Sequence, residues 1–373
     1  MNVPVSRPLL DQTETDLATD AVRRGELSGI FGSYIKEFET SFAAFCGTSH
    51  AVTVSNGTTA LHLAMATLGI GKGDEVLVSS FTNMATCFAI LYVGATPVPI
   101  DSEPDTWNID PTLLAAKITP KTKAIVVVHI YGHPVDMDPV LEIARKHKLC
   151  VVEDVAEAHG AEYKGRRVGS LGDIGCFSFY ANKIITTGEG GMLTMNDPEW
   201  AARARSLKAL AFGTANKFIH QDIGYNYRLT NVQCAIGVGQ LRKIDEILRR
   251  KREMAAFYLE AFKDTPDIQL PVEKSYAKNV YWMFNIVLKD RLAGKRDGVM
   301  SALKERGIEV REDFIPYDEQ DVVFQKHGIA KPDPCPVADR IGRDGFYIPS
   351  GTLISREELE YVAKNVKEVL ASA

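Results

Sequence analysis

Lys183 stands in the middle of Gly169–Met192, GSLGDIGCFSFYANKIITTGEGGM. Before it, Ile174, Cys176, Phe177 and Phe179 form a short apolar run interleaved with Gly175 and Ser178. After it come two threonines, a Gly-Glu-Gly-Gly turn and Met192–Thr194, apolar enough for a strand. The lysine therefore falls on an irregular connection between two strands. An amine between buried segments loses hydration, which lowers its pKa and frees its lone pair to attack a carbonyl. That is the placement a Schiff-base lysine needs. An exposed loop lysine beside a flexible glycine turn fits the same letters equally well.

Asp154 shifts the balance. Cys150, Val151 and Val152 read as a short strand, with Glu153-Asp154 at its carboxyl end, where open α/β sheets bind ligands. A carboxylate there can pair with a protonated pyridine nitrogen and keep a pyridoxal ring electron-withdrawing. The competing reading is an N-cap for a following helix. Upstream, Ala51–Val54 reads as a strand, and Ser55-Asn56-Gly57-Thr58-Thr59 opens a helix running to about Leu68. A helix start after a small-residue turn presents unpaired N–H groups and the positive end of the dipole, so it suits an anion. Gly57 and Thr58 are the candidates to cradle a phosphate; ordinary capping by Ser55 or Thr58 is the alternative.

Asp154, Ser178 and Lys183 in FSFYANK, and TTGEGGM together resemble the DegT/DnrJ-type nucleotide-sugar aminotransferases. So do NGTTALHLA (Asn56–Ala64), GDEV (Gly73–Val76), HIYGHPVDMD (His129–Asp138) and GYNYRLTNVQ (Gly224–Gln233). The resemblance covers nearly the whole chain. It implies the aspartate aminotransferase fold (fold type I), with a large, mostly parallel-sheet α/β domain over residues 1–250 and a small α+β domain over 251–373. It implies pyridoxal 5'-phosphate as cofactor, with Lys183 and Asp154 catalytic and Gly57, Thr58, Asp154, Glu157, Ser178, Lys183 and Asn226 binding the cofactor. Glu157 would reach the phenolic oxygen; a solvent-facing helix carboxylate is its alternative. Asn226 would cross a homodimer interface to the partner's cofactor phosphate. His129, Arg228, Arg311 and Tyr317 are expected at the substrate, a nucleotide-linked keto-sugar, most simply a 4-keto-6-deoxyhexose, with glutamate as amino donor. A 3-keto sugar and a non-catalytic regulator on the same fold are the alternatives.

Two departures from the family pattern stand out. Asn83 occupies a position where relatives often carry an aromatic ring to stack on the cofactor, so Phe81 or another ring would have to substitute. Asp318 and Glu319 follow Tyr317 in a region where two carboxylates would repel a diphosphate if they pointed at it.

The elements that position these residues alternate. Gly73–Val78, Thr96–Asp101 and Ala124–His129 read as strands; Met84–Tyr92 and Pro139–Lys148 read as helices, the pattern of a helix-covered parallel sheet. His129 ends the AIVVVH run, near the floor of the site or bonded within a crowded loop. Leu241–Glu253 reads as one helix with a solvated basic face rather than a diphosphate patch.

The chain has 373 residues, a net charge of −5 and 45% hydrophobic residues. This balance gives no electrostatic reason to expect nucleic acid or an anionic membrane surface as partner. Six scattered cysteines without CxxC pairs fit a reduced, cytoplasmic setting. No histidine pair has metal-ligand spacing, so no metal is expected.

Overall fold

The computed structural model describes residues 1–373. Its main sheet has seven strands: β1 His50–Val54, β2 Glu75–Ser79, β3 Thr96–Ile100, β4 Thr122–Val128, β5 Cys150–Asp154, β6 Ile174–Ser178 and β7 Gly191–Met195, in the order β1-β7-β6-β5-β4-β2-β3. Every neighbouring pair from β6 to β3 is parallel; β7 alone runs against both its neighbours.

Alternation along the strands divides the core in two. Val76, Val126, Val152, Cys176 and Leu193 face one side; Leu77, Ile125, Val127, Val151, Phe177 and Met192 face the other. Both faces need a helical cover, which explains the continuous β-branched run of β4. Helices α1 Gln12–Arg23, α2 Ser33–Cys46, α3 Gly57–Thr67, α4 Met84–Tyr92, α5 Met137–His147, α6 Pro198–Leu207 and α7 Asn231–Arg242 surround it.

The expected basic helix 241–253 is instead two. α7 ends at Arg242, and α8 Ile244–Phe262 begins after Lys243, whose backbone is not helical. α8 then leaves the main core. Its Ile244 and Ile247 belong to the large-sheet core, while Met254, Ala255, Tyr258 and Phe262 belong to a second core. That second core lies on a four-stranded antiparallel sheet, β8 Ile268–Gln269, β9 Phe284–Leu288, β10 Arg311–Glu312 and β11 Gly345–Ile348, in the order β8-β9-β11-β10. α9 Arg296–Glu305 and α10 Arg356–Ser372 cover it. The N-terminal arm joins it too: Val3 is fully buried there and donates its N–H to the Gly307 carbonyl (2.9 Å). No helix is long and apolar enough to cross a membrane.

Candidate active site

The connection carrying Lys183 is closed at its base. Phe179 N–H donates to the Gly190 carbonyl (2.8 Å), and Thr187 N–H donates back to the Phe179 carbonyl (3.0 Å). Thr186 Oγ1 donates to Phe179 O, and Gly188, with φ of 80°, donates its N–H to Thr186 Oγ1. A positive φ is one a glycine adopts without cost. These bonds fold residues 179–190 back over the carboxyl ends of β5 and β6 and hold the lysine above them.

A cavity of about 400 Å³ opens there. Gly57, Thr58, Asp154, Glu157, Ser178 and Lys183 all line it. Its far wall comes from the small-sheet part of the chain, through Trp282, Phe314 and Tyr347.

Asp154 is 5% exposed. No helix follows β5, so it caps none; its Oδ1 accepts the Ala156 N–H (3.0 Å) and its Oδ2 the Thr86 hydroxyl (2.8 Å). Burial raises its pKa, while these two donors and Lys183 hold it down. Glu157 is likewise buried and not on a helix. It accepts the Tyr131 N–H (2.7 Å), and burial pushes it up to about 7. The Lys183 amine makes no ion pair. It lies 3.8 Å from the centre of the Trp282 indole, and burial lowers its pKa against the opposing pull of Glu157 and Asp154. An amine so placed is partly neutral nearer physiological pH than a solvated lysine.

The cap of α3 is Asn56, in a reciprocal box with Thr59, and neither Ser55 nor Thr58. This leaves the Gly57 and Thr58 N–H groups without intrahelical acceptors. Ser178 closes on this helix start: a Cβ placed on Gly57 would lie 2.7 Å from the Ser178 Cβ and 3.1 Å from its Oγ. A concave, donor-rich cradle at a helix start, a buried carboxylate and a desolvated amine fit the phosphate, ring nitrogen and aldehyde of pyridoxal phosphate respectively.

Five expected residues lie outside this cavity. His129 is fully buried: one ring nitrogen meets Glu153 Oε2 (3.1 Å) and the other accepts the Val135 N–H (3.0 Å), so neither is left for a substrate. Tyr317 is 1% exposed and packs edge-on against Phe324 in the core behind α4, away from the cavity. Arg311 is exposed, outside the cavity lining, and bonded through Nε and Nη2 to Glu309. Arg228 is half-buried with Nη1 enclosed and unpartnered, and Asn226 is exposed; neither lines this chain's cavity.

Phe81 does not substitute at Asn83. Phe81 is fully buried against Tyr131 and Phe314, while Asn83 lines the cavity and caps α4 through the Ala85 N–H. Asp318 turns inward, accepting the Ser80 hydroxyl (2.6 Å) and the Cys335 N–H (2.8 Å). Sequence reasoning missed Thr86, Asn182, Trp282, Phe314 and Tyr347. A threonine three residues after Asn83, on a helix pointing at the strand ends, was a usable signal for the first; the ring-bearing wall left none.

A mostly parallel seven-stranded sheet with one reversed strand, a lysine loop across its carboxyl edge and a phosphate cradle at the first helix define a pyridoxal-phosphate-dependent aminotransferase of fold type I. The chain belongs to the DegT/DnrJ/EryC1/StrS aminotransferase family, whose profile matches residues 8–367. It is 40% identical over 369 residues to GDP-perosamine synthase of Caulobacter vibrioides, covering 99% of this chain and 98% of that one. Among solved structures it resembles DesV of S. venezuelae (36% identity, TM-score 0.89, 96% and 94% of the two chains). It also resembles a putative sugar aminotransferase of Streptococcus pneumoniae in its PLP form (26% identity, TM-score 0.93, 100% and 99%).

Proposed function

We propose that this protein moves an amino group from glutamate to a nucleotide-linked keto-sugar, most simply a GDP-linked 4-keto-6-deoxyhexose, in a GDP-perosamine synthase-like step of polysaccharide or O-antigen precursor synthesis. The observation that carries the reaction type is the convergence of Lys183, Asp154, Glu157 and the Gly57–Ser178 cradle on one cavity. The 40% identity to a GDP-perosamine synthase over nearly both full chains supports the sugar.

When bound, pyridoxal phosphate supplies an electron sink for negative charge on the amino-bearing carbon. The chain's residues do the rest. Gly57 and Thr58 N–H groups and the Ser178 hydroxyl would hold the phosphate. Asp154 would pair with the ring nitrogen and keep a proton there; each pKa unit of that preference is worth about 1.4 kcal/mol. Glu157 would serve the phenolic oxygen. Lys183 Nζ would anchor the cofactor and, once displaced by the donor's amine, would take a proton from the donor's α-carbon and deliver it to the cofactor's aldehyde carbon, a role matched by its lowered pKa.

Residues 1–250 and 251–373 act as two domains joined through α8. The active form is a homodimer in which Asn226 completes the partner's cradle. Asn226 is exposed, and Phe218, Ile219 and Ile223 on the preceding loop are 79%, 68% and 83% exposed, apolar surface that a second copy would cover. Six unpaired cysteines support a reducing, cytoplasmic compartment.

The test is glutamate with a panel of GDP-, UDP- and dTDP-linked 4-keto and 3-keto sugars, read as 2-oxoglutarate formed. The GDP-linked 4-keto-6-deoxyhexose should turn over fastest; no 2-oxoglutarate from any sugar refutes the reading. For the shared site, Lys183→Ala and Asn226→Ala proteins are mixed after unfolding and refolding together. Each alone should be inactive, and the mixture should regain about a quarter of wild-type activity from hybrid dimers with one intact site. No recovery refutes sharing.

A further inference from the structure

Lys251 is the one basic residue in the Arg249–Arg252 run of α8 that meets no carboxylate. Arg249 pairs with Glu253, Arg250 with Glu246 and Arg252 with Glu273. The Lys251 side chain points inward and is 3% exposed. Its ammonium donates to two carbonyls, that of Trp282 (2.7 Å) and that of Ser350.

Both acceptors sit where the chain enters or leaves the small sheet. Trp282 lies just before β9 and Ser350 just after β11, and the Ser350 hydroxyl receives the Phe284 N–H (2.8 Å). Lys251 itself lies on α8 between the residues that serve the large-sheet core and those that serve the small one. It therefore ties one end of the small sheet, where β9 starts and the antiparallel β11 stops, to the helix that crosses between the two cores.

Trp282 is held at three other points. Its N–H donates to the Tyr131 carbonyl (2.8 Å), its indole Nε1–H to the Asn182 carbonyl (2.8 Å), and its ring stacks on Tyr131 (6.2 Å, 17°). The ring face carries the Lys183 amine at 3.8 Å. A buried ammonium without an anion is an expensive way to hold a backbone, its desolvation offset only by the two carbonyls it serves. Burial pushes the Lys251 pKa down to about 7, the mark of that cost.

We infer that Lys251 is a positioning residue: by gripping the Trp282 carbonyl it fixes the indole against Lys183 and so sets how dry the reactive amine is. The inference rests on Lys183 being the amine that carries the cofactor. The charge-assisted bond holds the peptide, the peptide holds the ring, and the ring excludes water from one side of Nζ.

The test uses Lys251→Met, Trp282→Phe and the double variant, each loaded with pyridoxal phosphate. The readouts are the pH midpoint of the visible absorption change, the melting temperature and the turnover of glutamate. Lys251→Met should still fold, raise the spectral midpoint by about 0.5–1 unit as water reaches Nζ, and lower kcat about tenfold. Trp282→Phe should shift the midpoint the same way, and adding Lys251→Met should shift it little further, because both act through one ring. An unchanged midpoint in Lys251→Met, additive shifts in the double variant, or a Lys251→Met protein that does not fold would each overturn the inference. A wild type that shows no lysine-linked chromophore would instead overturn the assignment of Lys183.

Discussion

Replacing Gly57 by alanine separates the cradle from the fold. Gly57 is the first residue of α3 and has no positive φ, so alanine meets no backbone penalty and gains up to about 1 kcal/mol of helix propensity. The damage is local. The new Cβ would stand 2.7 Å from the Ser178 Cβ, where carbon atoms at rest keep about 3.5–4.0 Å apart. The helix start and β6 must therefore part by roughly 1 Å. A phosphate gripped from both sides then loses one or two of its charge-assisted hydrogen bonds, each worth about 1.5–3 kcal/mol. The dissociation constant for pyridoxal phosphate should rise at least about 10-fold, and about 10⁴-fold if two of the stronger bonds are lost. The assay is a titration of cofactor-free protein with pyridoxal phosphate, followed by absorbance, with melting temperatures measured without cofactor. Ser178→Ala is the control: it removes a hydroxyl and adds no clash, so its loss should be about tenfold. Gly57→Ala protein that melts like wild type and binds within threefold of it would show that this helix start does not hold the phosphate.

Much of this was legible locally. β4 and β5 show as β-branched runs because a strand buried on both faces needs apolar residues at every position. Lys183 and Asp154 could be placed because each lies within a few residues of a strand end. In SNGTT the chemistry was legible and the cap was not: Ser55, Asn56 and Thr58 are all competent, and only backbone geometry selects Asn56. Long-range facts were out of reach. Trp282 is 99 residues from Lys183, and no period connects them. Lys251 reads as one more charge on a basic helix, since periodicity gives the face and not what covers it. His129 and Tyr317 sit near the right strands in sequence, yet pairing with Glu153 and packing on Phe324 take them out of the cavity. Side-chain direction at a strand end depends on neighbours that the local sequence does not name.

Three other perturbations address the buried acids. Asp154→Asn keeps the Thr86 contact but removes the charge opposite the ring nitrogen; cofactor should still bind, and transamination should fall at least 100-fold, about 2.7 kcal/mol. Thr86→Val removes a donor that holds the Asp154 pKa down, so the acid limb of the rate–pH profile should move to higher pH; an unmoved limb would separate Thr86 from the carboxylate. Asp313 tests burial itself. It is 4% exposed and accepts from Tyr131 OH (3.0 Å) and Asn285 Nδ2 (2.8 Å), and burial pushes it up to about 8. In the unfolded chain it titrates near 3.9. Between those values the native state binds more protons than the unfolded one, so this group's contribution to stability falls as pH rises through the window and levels off above about 8. The slope is bounded by about 1.4 kcal/mol per pH unit. Asparagine at 313 cannot ionise. Its amide can also donate to Asn285 Oδ1, now buried without a partner, once the Asn285 amide turns over. Cofactor-free Asp313→Asn should therefore gain on wild type in melting temperature as pH rises from 5 to 8, by several degrees over that span. Glu157, raised in the same direction, leaves a residual slope in both proteins. A gap that stays constant from pH 5 to 8 would mean that Asp313 is ionised throughout and that Tyr131 and Asn285 stabilise the carboxylate more than burial opposes it.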